Sequence, residues 1–258
     1  MNKIKLEKYV STIDLVNKFK NDLVKNKTTY DEFFDGAYKT MSAHQRGHNI
    51  NVKNYIKKHF FEYLQLHPIS SINSSDQFDN WYRNFISSIK QNKPSGISFN
   101  LTVGLIQKFT NMFFKYWYAS NVSREEINHI IEYLHMTLDN YTLNWYKKYV
   151  RNIYEIDYST QNLDSWSKIN NIDDYFKVQE NIRNYLRDNQ FYQTDILDLS
   201  IKYNLDTNIP FLSEFCIWEG ENINVVIGAL KKNIKVINKE SSLVPNELKE
   251  SLRSIIIV

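Results

Sequence analysis

The stretch Gly104-Leu-Ile-Gln-Lys-Phe-Thr-Asn-Met-Phe-Phe-Lys-Tyr-Trp-Tyr118 decides the fold. At roughly 100° per residue, Gln107, Lys108, Asn111, Lys115 and Tyr118 share one strip about 100° wide. The rest of the circumference carries Leu105, Ile106, Phe109, Met112, Phe113, Phe114, Tyr116 and Trp117. A surface helix normally shows the opposite ratio, a polar majority around an apolar stripe. The spacing therefore predicts a central helix from about Thr102 to Ala119, its polar strip turned to a cleft rather than to open water.

An ammonium on that strip is solvated, paired or neutral. Burial disfavours a charged lysine, and a second lysine about two turns on (Lys115) acts in the same direction. A lysine kept neutral is a nucleophile towards carbon. The plainer reading of the same pattern is a solvated polar face. About thirty residues later comes His135-Met-Thr-Leu-Asp139, where an acid opens another helical run. Such an aspartate is first of all an N-cap, contributing about 1 kcal/mol. A capping carboxylate also stays ionised at the positive helix end. It is then able to orient a nearby amine or take its proton.

Composition sets the frame. The chain has 258 residues, of which 42% are hydrophobic, enough for one large domain or two lobes on a shared core. Six glycines and four prolines supply little material for tight turns, which points to an α-rich protein rather than a β-sandwich or barrel. A formal net charge of +3 permits a nucleic-acid partner without requiring one. The single cysteine, Cys216, excludes an internal disulfide, a zinc ribbon and a cysteine-ligated iron–sulfur cluster. The N-terminus is too polar for a signal peptide, and no apolar run is long enough to span a membrane. The expectation is a cytosolic (cytoplasmic) protein without a membrane segment.

Along the chain, residues 1–67 read as two or three amphipathic helices, with Asp31 and Asn51 as caps, a turn at Arg46-Gly47 and an end at His67-Pro68. Further helices are expected from Phe78 to Lys90, Arg124 to Tyr133, Asn140 to Arg151 and Asp173 to Asp188, and at Asp195 to Tyr203. The run Asn92-Lys-Pro-Ser-Gly96 breaks the Phe78–Lys90 helix before the central one. Residues 155–172 read as irregular. The apolar run over 209–238 fits a strand or a buried helix equally well. Nucleotide-loop, dinucleotide-loop, zinc-protease and nucleophile-elbow motifs are all missing from the chain, and metal ligands do not cluster.

The order Gln107-Lys108, Lys115, Asp139, Tyr175-Phe-Lys-Val-Gln179 and Ile209-Pro-Phe-Leu-Ser-Glu-Phe-Cys-Ile-Trp218 resembles the helix-hairpin-helix DNA glycosylases, most closely the archaeal 8-oxoguanine glycosylases. The resemblance covers residues 85–220 in separated patches. It implies an all-α, two-lobed domain over 1–258, with lobes at 1–90 plus 175–258 and at 91–174, a helix-hairpin-helix element and an interlobe cleft. It implies Lys108 as nucleophile and Asp139 as assisting acid. It places Lys115, Glu214 and Trp218 around the extruded base, with Asn111 and His135 beside them. Gly104, Ser95 and Gly96 would serve the DNA-binding hairpin. The hairpin departs from the family's apolar-Pro-Gly-apolar-Gly turn, reading Lys93-Pro-Ser-Gly-Ile-Ser-Phe-Asn-Leu-Thr-Val-Gly104 instead.

The basic cluster His44, Arg46, Lys53, Lys57 and Lys58 suits DNA phosphates, or is an ordinary solvated helix face. A lone histidine such as His135 is equally at home as a satisfied structural residue. The expected partner is double-stranded DNA carrying a damaged or modified base, bound by a monomer that needs neither cofactor nor metal. The activity would be base excision with lyase cleavage, in repair or in defence against modified phage DNA. The competing reading is a non-catalytic helical DNA- or nucleotide-binding module on the same scaffold. A helical host-defence protein without DNA chemistry stands third.

Overall fold

Helix α4, Val103–Ala119, is buried along nearly its whole circumference, with only Tyr118 partly exposed. Thr102 caps it, its hydroxyl accepting from Leu105 N at 3.2 Å. In this computed structural model the described residues are 27–42, 50–96, 100–120, 122–154, 163, 165–189 and 208–218. Their regular elements are all helical, so the chain is all-α as the sparse glycine and proline content implies. No helix among them is long and apolar enough to cross a membrane.

The other elements wrap α4. Helix α1 (Tyr30–Ser42) lies along it, and α2 (Ile50–Leu66) and α3 (Ser75–Gln91) follow. Helix α5 (Arg124–Ile130) and α6 (Asn140–Trp145, prolonged by a π-helical turn Tyr146–Val150) come next, then α7 (Ile172–Asn189) and α8 (210–218). The many aromatic residues are core material. Phe60 meets Phe109, Phe113 and Phe85 edge-on at centroid distances of 5.0, 4.7 and 5.4 Å, the geometry that ring quadrupoles favour. Apolar side chains from both expected lobes join one contiguous core around α4.

Two expected caps are corrected. Asp31 and Asn51 lie inside the first turns of α1 and α2. At α1 the cap is Thr29: its hydroxyl accepts from Glu32 N at 3.3 Å, while Glu32 Oε2 accepts from Thr29 N at 3.1 Å. This is the reciprocal Thr-x-x-Glu box, in which the hydroxyl and the carboxylate each satisfy an orphan amide. Arg46, Gly47, the 195–203 segment and the run beyond Trp218 lie outside the described residues.

Gly104 is the tightest of the described glycines. A Cβ there would sit 1.8 Å from the Trp166 carbonyl oxygen. Its amide donates to Ile169 O at 2.8 Å, and the Thr102 hydroxyl donates to Ser167 O at 2.7 Å. Backbone meets backbone there, with no flexible side chain to yield. Gly104→Ala should therefore destabilise the protein by about 1–3 kcal/mol in chemical denaturation, with the core fluorescence of the remaining folded population unchanged.

Candidate active site

The polar strip of α4 faces protein rather than water. Opposite it runs an extended segment, Leu134 to Asp139, threaded through the interior. Its amides and carbonyls need partners, because a buried unpaired backbone group costs about as much as a lost hydrogen bond. Side-chain amides supply them. Gln107 Oε1 accepts from Leu138 N at 3.0 Å and Gln107 Nε2 donates to Leu138 O at 2.7 Å. Gln179, from α7, does the same for Met136 at 3.1 and 2.8 Å. Between them, Thr137 N donates to Glu214 Oε2 at 2.6 Å, and the Thr142 hydroxyl donates to Thr137 O at 2.6 Å. Each glutamine thus stands in for a neighbouring strand.

The segment ends at Asp139, the N-cap of α6. Its Oδ1 accepts from Tyr141 N and Thr142 N at 3.0 and 3.1 Å, and its own amide donates to the Thr142 hydroxyl at 2.8 Å. That leaves Oδ2 for Lys108 Nζ, 2.9 Å away. Both side chains keep about 10% of their surface exposed. Burial alone would raise the Asp139 pKa, but the Lys108 ammonium and the Thr142 backbone hydrogen bond outweigh it and hold the carboxyl below its ordinary value. Asp139 is ionised at neutral pH.

A second pair lies deeper. Lys115 Nζ contacts Glu214 Oε2, both side chains fully buried, and donates to the Thr137 hydroxyl at 2.5 Å. Burial pushes the Lys115 amine down and the Glu214 acid up, their mutual attraction opposing both shifts. Glu214 Oε1 is buried and has no hydrogen-bond partner among the described residues. The Trp218 indole covers the two lysines together, with Nζ of Lys108 and Lys115 at 5.3 and 5.2 Å from the ring centroid. Two ammonium groups, two carboxylates and one electron-rich ring therefore form a single charge-balanced cluster.

Lys108, Asp139, Lys115, Glu214 and Trp218 thus meet. Asn111 and His135 are turned elsewhere. Asn111 accepts from the Tyr82 hydroxyl at 2.9 Å and donates to Met136 O at 3.3 Å. His135 sits between Asp79 Oδ1 (2.7 Å from Nε2) and the Tyr175 hydroxyl (2.8 Å from Nδ1), wholly inside the protein as a satisfied structural residue rather than beside the base pocket. Gly104 has its amide engaged by Ile169, so its place is in packing. Ser95 and Gly96 are exposed in the turn after α3. Lys57 pairs with Asp31 at 3.0 Å and Lys53 with Asp35 at 2.9 Å, so acids of α1 face this basic row. Arg46 lies outside the described residues. Asp79 carries no motif that would have singled it out, and Gln107 and Gln179, quoted for the resemblance, were not expected as backbone clamps.

No family model, curated protein or solved structure matches the chain.

Asp79 explains the state of His135. Burial would raise the Asp79 pKa, but two Arg183 hydrogen bonds of 2.7 Å, with help from His135, hold it well below the usual carboxylate range. With that charge shared by Arg183, burial dominates at His135 and pushes its pKa down to about 4. The neutral ring then donates from Nε2 to Asp79 and accepts at Nδ1 from Tyr175. A histidine depressed on folding stabilises the native state fully above its unfolded pKa of about 6.5 and loses that contribution as pH falls towards 4. Urea unfolding should therefore show stability falling by roughly 3 kcal/mol across that window, and His135→Gln should flatten the slope.

The inner pair gives a second expectation. Glu214→Gln leaves Lys115 with no charge partner in a dry interior and should cost about 3–5 kcal/mol. Replacing both partners, as Lys115→Met with Glu214→Leu, should cost clearly less than the single change in a denaturation cycle.

Proposed function

We propose that this chain is a DNA glycosylase with lyase activity, acting on a damaged or modified base, with Lys108 as nucleophile and Asp139 as its partner. The observation that carries the reading is the 2.9 Å contact between Lys108 Nζ and Asp139 Oδ2, beside Trp218 and still touching solvent. Nucleophile, base and a ring wall come from three separate elements. In this reading α3 and α4 flank the helix-hairpin-helix element, and the exposed edge of Lys108 faces the interlobe cleft.

A base within a duplex is out of reach, so the nucleotide is extruded at a cost of a few kcal/mol. Asp139 takes a proton from the Lys108 ammonium, and the free amine attacks C1′ of the sugar. A nitrogen–carbon bond forms while the glycosidic bond breaks, and the base leaves with that electron pair and acquires a proton. Ring opening at O4′ then gives the Schiff base from which strand cleavage follows. Asp139, protonated in the first step, is then placed to give that proton to the departing base, which restores its carboxylate. Trp218, partly exposed beside Lys108, is the ring face that would meet the base, while Glu214 stays inside, paired with Lys115. The exposed Ser95–Gly96 turn supplies the phosphate contact, since the Gly104 amide is engaged.

One observation favours a non-catalytic module on this scaffold. The strip's charges and amides are mutually satisfied, as in an interior ion-pair network. Counting abasic sites after incubation with unmodified, oxidised and hypermodified DNA separates the two. The glycosylase reading expects abasic sites in one class of DNA, their loss in Lys108→Gln, and a fall of about 10²-fold or more in Asp139→Asn. Abasic sites in none of the DNAs would overturn it, and wild-type rates in Lys108→Gln would overturn the assignment of the nucleophile.

A further inference from the structure

Helix α6 and its π-helical extension run on from Asp139, the residue that meets Lys108. Between Asp139 and Glu155 the chain reads Asn140-Tyr-Thr-Leu-Asn-Trp-Tyr-Lys-Lys-Tyr-Val-Arg-Asn-Ile-Tyr154, a run with no acid and three cations, Lys147, Lys148 and Arg151. Its two sides differ. Thr142, Leu143, Trp145, Tyr146 and Val150 are buried. Helix α7 packs on that side: Trp145 meets the Tyr185 ring edge-on at 5.6 Å, and the Tyr146 hydroxyl accepts from Asn181 Nδ2 at 3.2 Å. On the outer side Tyr141, Asn144, Lys148 and Asn152 are exposed, with Lys147 and Arg151 half-buried at its edges.

Local bonds fix both ends of this outer face. The Tyr141 amide donates to Asp139 Oδ1 at 3.0 Å, so the face begins at the carboxylate whose other oxygen meets Lys108. At the far end Arg151 N donates to Tyr146 O at 2.9 Å, closing the π turn. Lys148 Nζ lies 4.6 Å from the Tyr149 ring centroid, a contact that leaves the ammonium charged. The acid that α7 brings to this end is Asp188. It accepts from the Tyr154 hydroxyl at 3.2 Å and pairs with its own neighbour Arg187 at 3.0 Å.

A face of amide, aromatic and cationic side chains is complementary to a nucleic-acid backbone. Cations neutralise phosphates and release their counterions, while amides and phenols donate to phosphate oxygens. The dimensions agree. Lys148 and Arg151 stand nine and twelve residues past Asp139, about 13 and 18 Å along the axis at 1.5 Å per residue. One DNA strand advances about 3.4 Å per nucleotide, so a strand with a sugar at Lys108 would meet these cations about four to five nucleotides away. We propose that the outer face of α6 is a track for DNA phosphates on one side of the reacting nucleotide. Tyr141 and Asn144 lie nearest that nucleotide, and Lys147, Lys148 and Arg151 further along. The choice of DNA as the polyanion rests on the glycosylase reading.

Fluorescence anisotropy of the full chain on a labelled duplex with a stable abasic analogue, repeated over a range of salt concentrations, tests this. Lys147→Gln, Lys148→Gln and Arg151→Gln combined should weaken binding at low salt at least about tenfold. They should also make the log–log salt dependence shallower by about 2–3, the contribution of three neutralised phosphates. Lys148→Gln alone, at an exposed position that folding tolerates, should make it shallower by about 0.9. A triple variant with wild-type circular dichroism and an unchanged salt slope would overturn the track while leaving the glycosylase reading standing. Absence of duplex binding by the wild type at low salt would overturn both. Tighter binding to phosphatidylserine vesicles than to the duplex, lost in the same variant, would overturn the track in favour of a membrane surface. The predicted slope change in a protein that forms abasic sites in no DNA would uphold the track and remove the chemistry.

Discussion

The structure rests on one constraint: a helix buried on every side carries Gln107, Lys108, Asn111 and Lys115, and each must find a partner out of water. An unmatched buried donor or acceptor costs about 1–3 kcal/mol, and a charged one more. The extended segment Leu134–Asp139 answers most of that need, and its own backbone is satisfied in return. Segment and helix are therefore one unit: neither is at home in the interior without the other. Helix α7 completes it through Gln179, and α8 completes it through Glu214.

Out of this satisfaction problem comes the charge cluster. The two lysines sit under one indole, yet their surroundings differ. Lys115 and Glu214 are dry, and an ion pair in such a place offsets its desolvation only with good geometry and further hydrogen bonds. Thr137 supplies these, through its hydroxyl to Lys115 and its amide to Glu214. Lys108 and Asp139 keep a margin of exposed surface, and Asp139 has a second role as helix cap that fixes its orientation. Of the two pairs, the outer one alone keeps exposed surface. The inner pair supplies a fixed electrostatic background.

Much of this was legible in the chain. A helix apolar over two-thirds of its surface is central because no other place buries it, and its bounds differ from the expected ones by a single residue at Thr102, the cap. Asp139 as a helix start followed from its residue type ahead of a helical run. The meeting of Lys108, Lys115, Asp139, Glu214 and Trp218 was expected from a resemblance in their order rather than from any one pattern. What the residues concealed was the use of neutral amides. A glutamine on a helix looks the same whether it faces water or clamps a strand, so Gln107 and Gln179 were picked out by position while their clamping role was not. The state of His135 was hidden likewise, because it depends on Arg183 and Asp79 reaching it from other helices. Asp31 looked like a cap because acids favour the first turn; Thr29, with its Glu32 partner, made the better one.

The central claim is that, of the two lysines beneath Trp218, the outer one meets the sugar. Mass-spectrometric mapping after borohydride reduction of the protein on DNA containing abasic sites tests it directly. The account predicts a reduced deoxyribose remnant on the peptide bearing Lys108, with Lys115 unmodified. A remnant on any other lysine, or no adduct at all, would contradict it.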